Sequence, residues 1–155
     1  MPIVRPATPE DHPALAEIFL SSRRHAFPWC DPASFVLNDF AAQTEGEIIQ
    51  LAEEEDGTPL GFISVWEPEA FIHHLFVDPR HLGRGIGGRL VDSLHAWLPL
   101  PWRLKCKTAN LPALGFYLRR GWRELSRVED VSGQYALMEF GPPAGPLEPG
   151  ENPAS

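Results

Sequence analysis

The stretch "HLGRGIGGRL", His81 to Leu90, holds four glycines in a six-residue window: Gly83, Gly85, Gly87 and Gly88. Gly83-x-Gly85-x-x-Gly88 matches the dinucleotide fingerprint G-x-G-x-x-G. Before it, "AFIHHLFV" reads as a strand ending at Val77. After it, Ile86, Leu90, Val91, Leu94, Trp97 and Leu98 recur at helical spacing. Glycines let backbone N–H groups approach an anion closely, and a helix N-terminus adds unpaired donors and a positive dipole end. The setting therefore favours a phosphate site over a tight turn that serves geometry alone.

Three features exclude the dinucleotide reading. Asp78 to Leu82 separate the strand from the first glycine. The fingerprint needs an acidic residue about 20 positions on to hold the ribose, where this chain has the neutral and basic "LKCKT". The preceding strand closes an antiparallel meander instead of opening a βαβ half-domain. A P-loop is excluded as well, since no Lys-Ser/Thr follows the last glycine.

Outward from the loop, "EIIQLAEE" and "PLGFISVW" flank Asp56-Gly57 and predict a hairpin, with "AFIHHLFV" as the third strand of the meander. "AEEED", Ala52 to Asp56, marks its exposed end. At the start, Ile3 to Arg5 predicts a short strand. Thr8, Pro9 and Asp11 then predict a capped helix start, with Leu15, Ile18 and Phe19 as the buried stripe. "ASFVLNDFAAQ" predicts a second helix. Beyond the glycine loop come the strand "RLKCKT", a helix from Asn110 to Arg120, and a hairpin around Ser132-Gly133. This order predicts one α/β (α+β) domain over residues 1–140, a sheet covered by helices. The Pro/Gly-rich tail, residues 141–155, reads as disordered.

The chain has 155 residues and a net charge of -8. That charge argues against a nucleic-acid partner held through a broad basic surface. No apolar run is long enough to span a bilayer, and "MPIVRPATPE" has no apolar signal core, so a cytoplasmic location and no membrane partner are expected. Cys30 and Cys106 lie far apart, without metal-type spacing, and read as buried free thiols.

With these elements in this order, the chain resembles the GNAT superfamily of acyl-CoA-dependent N-acetyltransferases over roughly Ile3 to Phe140. Two motifs carry the resemblance. In "LFVDPRHLGRGIGGRLV", Leu82, Gly85 and Gly87 stand where the family's phosphate loop has Gln/Arg-x-x-Gly-x-Gly/Ala, so Leu82 departs from the pattern. In "NLPALGFYLRRGW", Asn110, Ala113, Phe116, Tyr117 and Gly121 match the family's second motif, with Trp122 in place of Phe.

The resemblance implies a mixed, mostly antiparallel sheet flanked by helices and splayed between the fourth and fifth strands. It implies acetyl-CoA as co-substrate. The pyrophosphate would lie on Leu82, Gly83, Arg84, Gly85, Ile86, Gly87 and Gly88, and the pantetheine arm against Leu75, Phe76 and Val77, pairing as an added strand. Asn110 would cap its helix and contact the arm. Tyr117 would sit beside the sulfur, where a phenol of pKa about 10 can protonate a thiolate leaving near 8.5. The N–H of Val77 or Phe76 would hold the oxyanion.

An alkylamine of pKa about 10.4 must lose a proton before it attacks, so a base is sought. Strict alternation places His73 with Phe71, Leu75 and Val77 on one face and His74 with Ile72 and Phe76 on the other. His73, His74 and water stay open as the base. Two adjacent histidines without a further ligand at suitable spacing predict no metal site. Phe27 and Trp29 are candidates for the acceptor pocket, taking a small-molecule or peptide amine, and relatives often form homodimers. The chemistry expected is direct transfer of acetyl to a primary amine. The alternatives are an acyl-CoA-binding sensor without turnover and a nicotinamide-dependent oxidoreductase.

Overall fold

A computed structural model describes residues 2–131 and 133–142. The expected disordered tail therefore falls almost wholly outside the described residues, as does Ser132 of the last hairpin. Seven strands form one sheet in the order β1-β2-β3-β4-β5-β7-β6. They are β1 (Ile3–Pro6), β2 (Ile48–Glu53), β3 (Pro59–Trp66), β4 (Phe71–Val77), β5 (Trp102–Lys107), β6 (Arg123–Asp130) and β7 (Gly133–Phe140). All neighbouring pairs are antiparallel except β4 and β5. The run of β3, apolar but for Ser64, suits a strand covered on both sides, and six of its residues are buried in succession. Polar "RELSRVED" forms the exposed outer strand β6, as a sheet edge requires.

Helices cover both sides of the sheet. α1 (His12–Ala26) and α2 (Asp39–Thr44) close one core of Leu15, Ile18, Phe19, Phe40, Leu51 and Phe62. α3 (Ile86–Ser93) and α4 (Leu111–Arg119) close the other, where Ile86, Leu90 and Leu114 meet Ile63, Val65, Ile72 and Leu104. Neighbours in one strand part company as alternation demands: Phe62 joins the first core and Ile63 the second. Among the described residues no helix is long and apolar enough to cross a membrane.

The start of α1 follows the sequence pattern. Thr8 N donates to Asp11 Oδ2 at 2.8 Å, and a short 3-10 turn over Pro9–Asp11 leads into the helix. The second helix is shorter than predicted. Asp31 accepts from Ala33 N and closes a separate 3-10 turn over Pro32–Ser34, while Asp39 Oδ2 accepts from Val36 N at 3.0 Å. These side-chain bonds compete with helical ones and hold 35–38 outside a helix. Cys106 is buried, but Cys30 is only half-buried, which corrects the expectation for that thiol.

Two departures from regular pairing shape the site. The parallel contact of β4 with β5 covers only Phe71↔Arg103 and Ile72↔Leu104, so the strands splay apart beyond Ile72. Between β3 and β4, Ser64 pairs with His74 but Val65 pairs with Ile72, leaving His73 as an extra, bulged residue. The bulge overturns the predicted alternation. Ile72, not His73, joins Leu75 and Val77 in the second core.

Candidate active site

The splay opens a cleft of about 540 Å³ between the end of β4 and the start of α4. Leu75, Phe76 and Val77 form one wall, Asn110, Phe116 and Tyr117 the other, with Gly87 and Leu82 at the glycine-loop end. Asp78 N donates to Leu60 O at 2.8 Å, and two residues back along the ladder Phe76, opposite Phe62, has the same orientation, with its backbone groups toward β3. In an antiparallel ladder the residues between point the other way. The main-chain groups of Leu75 and Val77 therefore face the splay, and Val77 O accepts the Ser22 hydroxyl there at 3.0 Å. Phe76 N–H belongs to the β3 ladder, so of the two expected oxyanion donors only Val77 N–H faces the cleft.

Gly61 makes this tight pairing feasible. A Cβ at that position would lie 2.7 Å from Phe76 O.

The residues between β4 and the glycines form a structured turn. Asp78 accepts from Arg80 N at 3.0 Å and starts a 3-10 turn over Pro79–His81. The Arg80 guanidinium beside it lowers the Asp78 carboxyl below its ordinary range. Gly83 and Gly85 then take φ values of 81° and 76°, in the left-handed region that a side chain disfavours. Gly85 is the N-cap of α3 and offers no capping side chain, so the first-turn N–H groups of Ile86, Gly87 and Gly88 are not capped by it. Leu82 is 52% exposed and lines the cleft. Arg84 forms an ion pair with Glu54 of the β2–β3 hairpin.

α4 begins at Asn110, whose side chain accepts from Ala113 N at 3.4 Å. It ends where Gly121 takes φ 90° and Trp122 N donates to Tyr117 O at 3.0 Å. Trp122 packs edge-on to Tyr117, ring centroids 5.4 Å apart. Tyr117 is buried, and burial raises its pKa above the ordinary phenol value, with Cys106 nearby adding to the rise. The same burial pushes the Cys106 thiol up to about 11. Both groups stay protonated at neutral pH, so Tyr117 can donate a proton and Cys106 is a poor nucleophile.

A second cavity of about 240 Å³ shares Leu75, Phe76, Asn110 and Tyr117 with the first and is lined also by Phe27, His73, His74 and Cys106. The two histidines differ sharply. His74 packs edge-on to Phe19 at 4.8 Å, and burial first, then neighbouring His73, lowers its pKa to about 3. It is neutral at any physiological pH. His73 is 42% exposed, and its Nδ1 lies 2.7 Å from Glu47 Oε2. Glu47 follows Gly46, which takes φ 79° in the turn after α2. Sequence reading missed Glu47. It also expected no third ligand-type group near the histidines, and the fold corrects this by bringing Glu47, His73 and His74 together. Phe27 packs on Phe76 and Trp29, while half-exposed Trp29 lines the larger cleft, so both predicted acceptor residues border the splay.

Comparisons with known proteins agree with this geometry. The family model described as "Acetyltransferase (GNAT) family" matches residues 12–122. The peptidyl-lysine N-acetyltransferase YiaC of Escherichia coli (strain K12) is 30% identical over 126 residues, 77% of this chain and 82% of that protein. Among solved structures, a GCN5-related N-acetyltransferase from Rhodopseudomonas palustris is similar with a TM-score of 0.73 and 26% identity, covering 90% of this chain and 94% of that one. The PaiA N-acetyltransferase of Thermoplasma acidophilum, solved in complex with coenzyme A, shares the fold with a TM-score of 0.71 at 20% identity over 90% and 98% of the two chains. The chain belongs to the GNAT family of acetyltransferases.

Proposed function

We propose that this enzyme transfers an acetyl group from acetyl-CoA to a primary amine by direct attack within the β4–β5 splay. One observation carries the reading: the splay-facing main chain of Leu75 and Val77 lies across a single cleft from Asn110 and the buried phenol of Tyr117. The pyrophosphate lies on the N–H groups at the start of α3, and the pantetheine arm pairs with the free edge of β4.

The amine nitrogen attacks the thioester carbon, and Val77 N–H stabilises the developing oxyanion. Collapse breaks the C–S bond, and the Tyr117 hydroxyl gives its proton to the departing thiolate. The amine proton passes to Nε2 of His73. Glu47 accepts the Nδ1 proton and holds the ring in that tautomer. His74 is unsuited to the task, since its neutral form is favoured down to a pKa of about 3. A base so weak takes little proton in the transition state.

The relative described as a peptidyl-lysine acetyltransferase makes a lysine side chain the first acceptor to try. The aromatic border of Phe27 and Trp29 suits the apolar stem of such a chain. The test is an acceptor panel of lysine peptides, peptide N-termini and small amines, incubated with acetyl-CoA. Free thiol and acetylated amine should appear together for at least one class. Saturable CoA binding without turnover on every acceptor would favour an acyl-CoA sensor instead.

A further inference from the structure

His73 and His74 are adjacent in sequence, and their rings lie 3.9 Å apart. Glu47 meets them from the turn before β2. Each of the three offers one ligand atom, and these atoms all lie within 4.8 Å of one another. Two buried atoms in this cluster have no hydrogen-bond partner among the described residues: His74 Nε2 and Glu47 Oε1. His74 is only 8% exposed and the Glu47 side chain only 7%. Leaving such groups unsatisfied is costly, more so for a charge.

We propose that Glu47, His73 and His74 form a three-ligand site for a divalent transition-metal ion of the zinc class. Two imidazoles and one carboxylate suit zinc, cobalt or nickel better than magnesium or calcium. Metal–ligand bonds of about 2.1 Å place tetrahedral ligand atoms about 3.4 Å apart. The three ligand atoms lie within 4.8 Å of one another, so modest side-chain adjustment brings them to these distances. Three protein ligands leave a position for water, as in open zinc sites. The two histidines line the 240 Å³ cavity beside Tyr117, so the ion sits on the acceptor side of the splay.

The ion also takes the His73–Glu47 pair away from the amine proton. It acts as an inhibitor that competes with the acceptor and not with acetyl-CoA. This consequence rests on the transferase reading; the binding does not.

The experiment is calorimetric titration of the full chain with Zn²⁺, with CoA present and absent, together with the visible absorption of the Co²⁺ form. One ion per chain and d–d bands of four- or five-coordinate cobalt are expected. Glu47→Gln, His73→Ala and His74→Phe should each weaken binding by about tenfold or more, while His12→Ala leaves it unchanged. Glu47→Gln keeps the side-chain size and His73→Ala trims an exposed ring, so the result stands even where the buried His74 variant folds poorly. The absence of saturable binding, or binding that Glu47→Gln and His73→Ala leave intact, overturns the site. Binding with no rise in the apparent KM for the amine overturns the inhibitory role. An enzyme inactive on every acceptor would refute the transferase reading, and the titration would still decide the metal site.

Discussion

Glu47 Oε2 lies 2.7 Å from His73 Nδ1, so the turn before β2 holds the one residue that bulges from β4. The two neighbouring histidines thus stand in different environments. His73 is accessible and oriented; His74 is buried and neutral.

The first prediction concerns that pair. His73→Ala should lower kcat by about 100-fold and flatten the acid limb of the pH–rate profile, as loss of a positioned base does. Glu47→Ala should lower kcat with little change in KM for acetyl-CoA, and Glu47→Asp should recover part of the loss. Steady-state rates from pH 5 to 9 check both. If His74→Phe flattens the acid limb and His73→Ala does not, the base is misassigned.

The second prediction concerns stability. The unfolded chain protonates His74 below about 6.5, while the folded one resists until about 3. Stability rises with pH wherever the unfolded state binds more protons. The His74 contribution is therefore complete above 6.5 and is lost as pH falls toward 3, with a slope of up to about 1.4 kcal/mol per pH unit. Denaturant titrations between pH 7 and 4 should show this loss in the wild type and a flatter profile in His74→Phe. Equal slopes would contradict the burial of a neutral imidazole.

The third prediction concerns the loop. Gly85→Ala forces a side chain into φ 76°, at a cost of about 1–2 kcal/mol. CoA affinity should fall about tenfold or more, since the donors at the start of α3 shift with it. Calorimetry with CoA measures the change. In thermal-shift assays CoA should stabilise the wild type and NAD(H) should not; a shift with NAD(H) alone would restore the dinucleotide reading.

The fourth prediction concerns Gly61. A methyl group there would lie 2.7 Å from Phe76 O, a backbone atom that cannot turn aside. Gly61→Ala should destabilise the protein by about 1–3 kcal/mol, as other overpacked sites do. It should also weaken CoA binding, because the displaced strand is the cleft wall. Unchanged stability would mean that β3 and β4 are less closely paired than described.

Legibility in the sequence depended on range. Gly83 to Gly88 and Asn110 to Trp122 lie in unbroken stretches, where local spacing, turn chemistry and helix capping are all visible. The strand order up to Val77 followed from the hairpin signal at Asp56-Gly57. His73 was misplaced because alternation assumes one residue per pairing step, and a single bulge opposite Ser64 and Val65 reverses the faces beyond it. Glu47 was invisible because it stands 26 residues from His73, and only the completed sheet brings the two together. The second helix was overextended because Asp31 and Asp39 bind nearby backbone N–H groups, which a residue pattern does not reveal.

Direct attack is the central claim, and Cys106 is the residue through which it could fail. Burial holds that thiol protonated, with a pKa of about 11, beside Tyr117. The decisive measurement is rapid-quench analysis of the enzyme with acetyl-CoA, first alone and then with an accepted amine. Direct attack predicts no burst of free thiol and no acetylated protein without the amine, and thiol and acetylated amine in equal amounts with it. A stoichiometric thiol burst with acetyl on Cys106 before any amine is added would contradict the account.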